Sequence, residues 1–347
     1  MNRLILIFTL FLFSFQIHAQ KCDIRNLVFE GAGIRGIAYA GVIEQLDKDN
    51  KLVGIEKVGG TSAGAITALM VSLGYSSGEI ADLIASTKFN KFNDGRFLFF
   101  GGLVRLNKMY GWYRGDAFTK WLSDIIESKT GNPDITFEEL SQKGYKDLYV
   151  TGTCLNKQKL IVFSKESYPR MKIKDAVRIS MSIPFYFKAV LIDSTGAVHK
   201  KADPTQKLDV VVDGGLLGNF PIFLFDQVLT DSTNRKHRIP DFKTLGIRID
   251  SDLQIQNDST SRELASLEIK NMQDYVSAFY VLILENLNRN ELTEEDWARS
   301  ISVSSVGITP RIKRLSPAQK ERLINSGREA TSGYLGKHCS TNQRLTN

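Results

Sequence analysis

Histidine and cysteine are scarce in this chain, which has four histidines and three cysteines among 347 residues. His199 lies in a polar stretch and His237 in a basic loop, and neither follows a predicted strand. We therefore expect both side chains on the surface rather than in a catalytic role. The cysteines lack the spacing of a metal site, so we expect no metal ion. A catalytic site of this chain would use other residue types.

Long apolar segments are also missing. The longest run, residues 4–15, has about 12 residues, whereas a helix needs about 20 to span a bilayer. Arg3 precedes this run and Ile17-His18-Ala19 follows it, which is the pattern of a signal peptide. We predict that residues 1–19 direct export to the periplasm, the outer membrane or the outside of the cell. The remainder is long enough for one large α/β domain.

Export would place the cysteines in an oxidising compartment. Cys22 and Cys339 lie near the two ends of the mature chain, where they either pair or remain free thiols in flexible tails. Cys154 lies in a strand-like stretch, and we expect it to be a buried apolar residue.

The formal net charge is +7, and the basic residues cluster at positions 200–201, 235–238 and 311–314. These clusters fit either peripheral contact with an anionic membrane surface or a solvated face without a partner. Stacking aromatic residues do not alternate with the basic ones, so we expect no nucleic-acid partner.

An aromatic stretch covers residues 97–104 and 110–113, and Gly101 and Gly102 interrupt it. We interpret it as too irregular for a helix face. It fits a flap over an acyl pocket, a patch that touches a membrane, or ordinary core, since aromatic clusters are commonly interior.

The sequence Gly60-Thr61-Ser62-Ala63-Gly64 follows a predicted strand, residues 54–58, and opens a predicted apolar helix, residues 63–73. Strand, turn and helix form the setting of a nucleophile elbow. The two flanking glycines remove side chains where strand and helix meet, and the helix dipole favours negative charge beside the serine. The pattern predicts Ser62 as a nucleophile, although a glycine-rich turn with a chance serine fits these five residues alone.

A glycine loop, residues 31–36, follows the predicted strand 27–29 and precedes a predicted helix, residues 37–47. Such a loop can present backbone N–H groups to an anion. A dinucleotide-binding loop has the same glycine spacing, but it also requires an acidic residue at the end of the second strand. That strand ends here in Gly-Gly-Thr-Ser, so we predict an oxyanion hole and no cofactor. Its residues are Gly31, Ala32, Gly33, Ile34, Arg35 and Gly36.

Asp213 follows a predicted strand, residues 208–212, and precedes Gly214 and Gly215. A carboxylate can accept a serine proton directly when burial raises its pKa. By itself Asp213 is better explained as a turn-capping residue. Together with the serine turn and the glycine loop, it is better explained as a base.

These motifs resemble those of the patatin-like phospholipases. The resemblance lies in residues 29–43 around the glycine loop, residues 59–65 around the serine, and residues 213–221, which begin Asp-Gly-Gly. Residues 113–116 and 175–187 are similar to two further motifs of the family. The resemblance covers residues 26–221 and continues more weakly to residue 336.

The resemblance implies a Ser–Asp dyad in which Ser62 is the nucleophile and Asp213 the proton acceptor, with residues 31–36 as the oxyanion hole. It implies a phospholipid or lysophospholipid substrate and no cofactor, in a bacterial, exported member of the family. Ala32 is a departure, because the family usually has a third consecutive glycine there. Alanine does not adopt a positive φ cheaply, so the change bears on the shape of the hole.

Strands and helices alternate along the chain, which predicts an α/β fold with three α/β/α layers and a mostly parallel central sheet. We expect residues 26–224 to form the catalytic domain, residues 225–336 to complete the same domain, and residues 337–347 to be a tail. The apolar run at 276–284 predicts a buried helix. A last helix is predicted from an N-cap at Ser316 to about Asn325. The predicted strands are 27–29, 54–58, 148–153, 159–163, 208–212, 244–249 and 301–303.

Two functions fit this sequence. One is an exported lipid acyl hydrolase with a serine nucleophile. The other is a catalytically weak or silent module that binds lipid or a partner on the same scaffold. The presence of both Ser62 and Asp213 favours the hydrolase.

Overall fold

The computed structural model describes residues 22–95, 100–201, 205–261, 263–289, 291–310 and 314–339. The predicted signal peptide, residues 97–99 of the aromatic stretch, residues 311–313 of one basic cluster and the end of the predicted tail lie outside these ranges. Among the described residues, none of the helices has both the length and the apolar character needed to cross a bilayer.

Strands and helices alternate over part of the chain, but the order also contains successive strands with no helix between them, and there are more strands than the seven predicted. The strands are β1 Asn26–Phe29, β2 Lys57–Gly60, β3 Gly111–Tyr113, β4 Asp147–Cys154, β5 Lys159–Phe163, β6 Phe185–Phe187, β7 Val190–Ile192, β8 Val198–His199, β9 Asp209–Asp213, β10 Gln227–Thr230, β11 Lys236–Ile239, β12 Thr244–Asp250 and β13 Ser300–Ser304. The helices are α1 Ala38–Lys48, α2 Ala63–Ser72, α3 Ser77–Ser86, α4 Phe100–Met109, α5 Asp116–Thr130, α6 Phe137–Gln142, α7 Ile173–Ser180, α8 Gly215–Gly218, α9 Asp252–Thr260, α10 Met272–Arg289, α11 Glu294–Ala298 and α12 Pro317–His338.

A nine-stranded sheet forms the centre of the molecule, in the order β13-β12-β1-β2-β4-β9-β7-β8, with β5 also paired to β4. The five strands from β13 to β4 are parallel. Strands β1 and β12 are buried at every position, so both faces of the sheet are covered, as parallel sheets require. The predicted α/β fold with a mostly parallel central sheet is confirmed.

Strand β4 brings the ends of two other strands together. β5 pairs with β4 from Val150 to Cys154 along one edge, so β2 and β9 share the other edge in succession. β2 runs parallel to β4 and reaches Val150 with Gly60, whereas β9 runs antiparallel and reaches Gly152 with Asp213. The carboxyl ends of β2 and β9 therefore point at each other, and the residues that follow them meet.

Helix α12 begins as predicted, with Ser316 as N-cap and Pro317 in the first turn. It continues to His338, well beyond the predicted end near Asn325. Its buried face packs on α1 so closely that a Cβ on Gly41 would lie 1.8 Å from the Ile324 carbonyl oxygen. Packing on α1 stabilises the second half of the helix, which has no proline to stop it.

Two predictions about apolar segments were wrong. The run at 276–284 lies in α10, but Val276 and Phe279 are more than half exposed, so the helix is not buried. The aromatic stretch was expected to be too irregular for a helix, yet residues 100–109 form α4. There Gly102 permits contact with the Trp112 ring, which would lie 2.5 Å from a Cβ. Tertiary contacts override the weak helix propensity of glycine.

A disulfide joins Cys22 to Cys339, so of the two alternatives for these cysteines the paired one is observed. Cys154 is buried and free, as expected. Within the described ranges, His, Cys, Asp and Glu side chains form no group of three that could hold a metal ion.

Candidate active site

Ser62 occupies a strained turn between β2 and α2. Its backbone has φ 53° and ψ −121°, which residues with a side chain adopt only where the surrounding structure enforces it. Gly60 and Gly64 permit the turn, because a Cβ on either would lie within 3 Å of the Phe29 carbonyl oxygen on β1. Two adjacent strand ends thus force the serine to project at the edge of the sheet, as in a nucleophile elbow.

The contacts of Ser62 hold its backbone but leave its hydroxyl available. The backbone N–H donates to Ser180 Oγ at 2.8 Å, and the hydroxyl lies 3.3 Å from the sulfur of Met181. Thioether sulfur is a weak acceptor, so this contact competes little with a stronger base. The side chain is 6% exposed and lies at the base of a cavity.

Asp213 is the last residue of β9 and is 2% exposed. Burial raises the pKa of its carboxyl to about 7, although the Gly215 N–H and the Ser62 hydroxyl both act to lower it. The Gly215 N–H donates to Asp213 Oδ1 at 2.8 Å. The Asp213 carboxyl therefore lies beside the serine hydroxyl, and its raised pKa lies near neutral pH.

The glycine loop lies against the serine turn, since a Cβ on Gly31 would be 3.4 Å from Ser62 Cβ. Gly33 has φ 55°, and a Cβ there would lie 2.0 Å from the Pro310 carbonyl oxygen. Ala32 has φ −132°, a value that alanine adopts freely. The departure from a third consecutive glycine therefore costs this loop no backbone strain.

The N–H groups of the loop are not equivalent. Those of Gly31, Ile34 and Arg35 donate to the carbonyl oxygens of Asn219, Pro310 and Ala32. In the described part of the chain, the N–H groups of Ala32 and Gly33 have no protein acceptor. These two residues therefore carry donors that are available to a ligand.

Asn219 fixes this loop, and the sequence analysis did not single it out. Its side-chain amide donates to the Gly31 carbonyl oxygen at 3.1 Å and to Glu30 Oε1 at 3.3 Å. Glu30 Oε2 in turn accepts the Ile249 N–H of β12 at 3.0 Å. Asn219 lies six residues after Asp213, so one segment supplies both the carboxyl and an anchor for the glycine loop, residues 31–36. Because of its N–H groups we call this loop the donor loop.

Thr61 ties the serine turn to the aspartate turn. Its hydroxyl lies 2.6 Å from Thr151 Oγ1 and donates to the Gly218 carbonyl oxygen at 2.6 Å. Gly214 packs on the same threonine, since a Cβ on it would be 2.2 Å from Thr151 Oγ1. The turns after β2 and β9 therefore share one contact on β4.

Arg178 of α7 is a second residue that sequence reasoning missed. It is 4% exposed, and its guanidinium donates to Ser182 Oγ at 2.7 Å and to the Arg114 carbonyl oxygen at 3.0 Å. The Ser182 carbonyl oxygen accepts the Asp213 N–H at 3.0 Å. Burial lowers the pKa of Arg178 to about 10. Arg178 thereby joins the segment 113–116 to the segment 175–187, and the latter contacts the backbone of Asp213 through Ser182.

An apolar cavity adjoins the serine. We call it the acyl cavity, because its walls are almost wholly hydrocarbon and aromatic. It is lined by Gly33, Ile34, Gly36, Ile37, Ser62, Ala63, Ile66, Thr67, Ile84, Phe89, Phe92, Phe118, Met181, Ile183 and Phe187.

The two described histidines of the central region pair with local aspartates. His199 Nε2 lies 3.0 Å from Asp193, and His237 Nε2 lies 2.9 Å from Asp231. His199 lies on β8 and His237 on β11, each six residues from its aspartate, and no hydrogen bond among the described residues joins either ring to Ser62.

Known proteins are similar to this chain in sequence. The model of the family described as patatin-like phospholipase matches residues 27–226. The uncharacterized protein R571 of Acanthamoeba polyphaga mimivirus is 28% identical over 315 residues, which cover 89% of this chain and 92% of that one. The probable lipid hydrolase 463L of invertebrate iridescent virus 6 is 27% identical over 207 residues, 57% of this chain and 62% of that one.

A solved structure has the same fold. VipD from Legionella pneumophila superposes with a TM-score of 0.58 at 15% identity, covering 91% of this chain and 67% of that one. At this identity the likeness bears on the fold alone.

Proposed function

The chain belongs to the patatin-like phospholipase family, and from that premise we propose that it cleaves esters of membrane lipids with Ser62 as nucleophile and Asp213 as base. The reaction class, hydrolysis of a carboxylic ester, follows from the family. The dyad rests on one observation above all. A strained serine and a buried carboxyl of pKa about 7 lie side by side where β2 and β9 converge.

In the acylation step, Ser62 Oγ attacks the ester carbonyl carbon while the Asp213 carboxylate takes the hydroxyl proton. The carbonyl oxygen becomes an oxyanion, which the N–H groups of Ala32 and Gly33 stabilise. The intermediate collapses, the bond from carbon to the leaving alcohol oxygen breaks, and that oxygen takes the proton from Asp213. The acyl group is left on the serine.

In the deacylation step, a water molecule attacks the acyl-enzyme and Asp213 takes a water proton. Collapse of the second intermediate releases the fatty acid and returns the proton to Ser62. The same carboxyl thus serves both half-reactions, and a pKa near the working pH suits a group that must take and give a proton in turn.

The substrate we propose is a phospholipid or lysophospholipid. The acyl cavity supports this, because its aliphatic and aromatic walls suit hydrocarbon and offer little to a polar group. Its volume of about 50 Å³ fits only the part of an acyl chain next to the ester, so the remainder of the chain extends beyond it. The serine and the donor loop lie at one side of that cavity, which suits an ester at the head of the chain.

A panel of monomeric esters tests the proposal. Purified protein is incubated with p-nitrophenyl butyrate, a short-chain phosphatidylcholine and a lysophosphatidylcholine, beside Ser62→Ala protein of equal melting temperature. We expect turnover by the parent and none above background by the variant. Activity retained by Ser62→Ala contradicts the dyad. A parent that binds lipid vesicles without turnover supports the silent binding module instead.

We also propose that the protein is exported. The apolar leader with Arg3 before it and the disulfide between Cys22 and Cys339 support an oxidising destination. Expression of the full chain in a bacterium, followed by fractionation and intact-mass analysis, is the test. The expected product lies outside the cytoplasm and begins near Gln20, whereas a full-length cytoplasmic product contradicts the proposal.

A further inference from the structure

A second, larger hollow lies beside the acyl cavity. It has a volume of about 680 Å³, and Ile34 and Phe89 line both hollows. Ile34 follows directly on Gly33 of the donor loop, so the larger hollow begins next to the position of the reacting carbonyl. The lining residues are Ile34, Ser86, Thr87, Lys88, Phe89, Asn90, Arg314, Leu315, Ser316, Pro317, Gln319 and Lys320.

Positive charge distinguishes this hollow, which we call the cationic groove, from the acyl cavity. Lys88 comes from the segment after α3, whereas Arg314 precedes α12 and Lys320 lies in its first turns, so two distant parts of the chain supply the cations. The lining residues that the structure describes include no carboxylate. Burial lowers the pKa of Lys320, an effect that a bound anion would oppose.

The neutral polar groups of the groove are largely committed to local structure. The hydroxyls of Ser86 and Thr87 both donate to the Leu83 carbonyl oxygen. Ser316 Oγ accepts the Gln319 N–H in the cap of α12. The groove is therefore suited to recognise an anion by charge rather than a sugar by many hydrogen bonds.

We infer that the cationic groove binds the phosphate of a phospholipid head group while the ester of the same molecule lies at Ser62. In a glycerophospholipid only the glycerol carbons separate the ester from the phosphate, so an ester held at the donor loop places its phosphate in the adjoining groove. The inference rests on the proposed function and narrows it. Phosphate-bearing esters become preferred substrates over acylglycerols that lack phosphate.

The test compares two triple variants that remove the same positive charge. The groove variant carries Lys88→Gln, Arg314→Gln and Lys320→Gln. The control variant carries Lys48→Gln, Lys91→Gln and Lys337→Gln, at exposed positions outside the groove. Each is assayed on monomeric dihexanoyl-phosphatidylglycerol, on dihexanoylglycerol and on p-nitrophenyl butyrate, with melting temperature as a check of folding.

For the groove variant we expect kcat/KM on the phosphatidylglycerol to fall by about 10-fold or more, mainly through KM, because the loss of a charge-assisted contact weakens substrate binding. Its activity on dihexanoylglycerol and p-nitrophenyl butyrate stays within about twofold of the parent. The control variant stays near the parent on all three. Equal losses on all substrates, or equal losses in both variants, overturn the inference.

Inorganic phosphate separates a head-group subsite from a site for free phosphate. Added phosphate should compete with the phosphatidylglycerol and leave kcat on dihexanoylglycerol unchanged. A change in that kcat would mean that free phosphate regulates the enzyme and would overturn the head-group assignment. If the parent hydrolyses none of the three esters in a Ser62-dependent way, the proposed function fails. Ser62-dependent turnover without phosphate selectivity rejects the head-group inference alone.

Discussion

Two aspartates in this molecule are equally buried but lie in opposite electrostatic surroundings. Asp213 is 2% exposed, and burial raises its pKa to about 7. Asp296 is 0% exposed, and burial acts in the same direction, but hydrogen bonds from Arg238 and Arg299 outweigh it and lower the pKa. Burial alone therefore does not decide the charge of a carboxyl, because the partners within hydrogen-bond distance decide it.

The two carboxyls also differ in the groups that contact them. Arg299 donates to Asp226 at 2.6 Å and to Asp296 at 2.7 Å, and Arg238 on β11 contacts the same two carboxylates. This cluster fastens the β10–β11 hairpin to α11. Asp213 has a backbone N–H and a serine hydroxyl instead of an arginine, so the effect of burial dominates and its pKa rises to about 7.

Removing the serine should have the largest effect on activity, because Asp213 has this proposed nucleophile as a neighbour and Asp296 has arginines instead. We expect Ser62→Ala to lower ester turnover on the order of 10⁴-fold or more, since no other group forms the acyl-enzyme. Steady-state hydrolysis of p-nitrophenyl butyrate is the measurement. As a control, the double change His199→Ala with His237→Ala should stay within a few-fold of the parent. A collapse in that control would mean that a histidine base exists.

Replacing each aspartate by asparagine should separate their roles. Asp213→Asn should reduce kcat by roughly 10³-fold, because the amide cannot accept the serine proton. Asp296→Asn should leave turnover per folded molecule within a few-fold but destabilise the fold by roughly 3–5 kcal/mol, since it leaves Arg238 and Arg299 to share the single buried carboxylate of Asp226. Kinetics and chemical denaturation on both proteins decide. Equal losses of kcat in both variants would contradict the different roles assigned to Asp213 and Asp296.

The donor loop provides the next contrast. Gly33→Val should lower kcat by roughly 100- to 1,000-fold with a smaller change in KM, because the N–H groups act mainly in the transition state. A valine at position 33 would strain the loop, because the backbone there has a positive φ and a Cβ would collide with the Pro310 carbonyl oxygen. Ala32→Gly is the matched control and should change little, since Ala32 has an ordinary φ. An effect on KM alone would mean that the loop binds substrate and not the oxyanion.

The smallest effect concerns stability. The pKa of Asp213 rises from its ordinary value of 3.8 to about 7 on folding, so the folded chain holds this proton more tightly than the unfolded chain. Stability from this group is therefore present at low pH and is lost as pH rises from about 4 to about 7. At pH 8, Asp213→Asn should be more stable than the parent by roughly 2–4 kcal/mol, and near pH 4 the difference should vanish. Lower stability of the variant at pH 8 would contradict the raised pKa.

The local parts of the site were predictable from sequence. The glycines around Ser62 and the strand before Asp213 are short-range patterns, because they report the backbone geometry of a turn. Ser180 and Asn219 were missed because their contacts with the site span 118 and 188 residues. Arg178 was missed because the segment that it joins to the site, at Arg114, lies 64 residues away. A single sequence contains no signal for such pairings beyond the motif segments in which the residues lie.

Burial of apolar helices was predictable in one case and not in the other. Helix α2 is buried at all ten positions and follows a strand of the central sheet. Helix α10 has a similar apolar run, but it packs on the short helix α8 and leaves Tyr275, Val276 and Phe279 more than half exposed. The apolar composition of a helix indicates that it tends to be buried. Whether it is buried depends on the topology, which decides whether another element packs against it.

The pH dependence of serine labelling tests the central claim most directly. A fluorophosphonate probe is added between pH 5 and 9, and the rate of adduct formation is followed by intact-mass analysis with peptide mapping. We predict that all adduct forms on Ser62, that the rate rises with pH around a midpoint of about 7, and that Asp213→Asn is slow at every pH. Adduct on another residue, a rate independent of pH, or an Asp213→Asn protein as fast as the parent would contradict a base at Asp213.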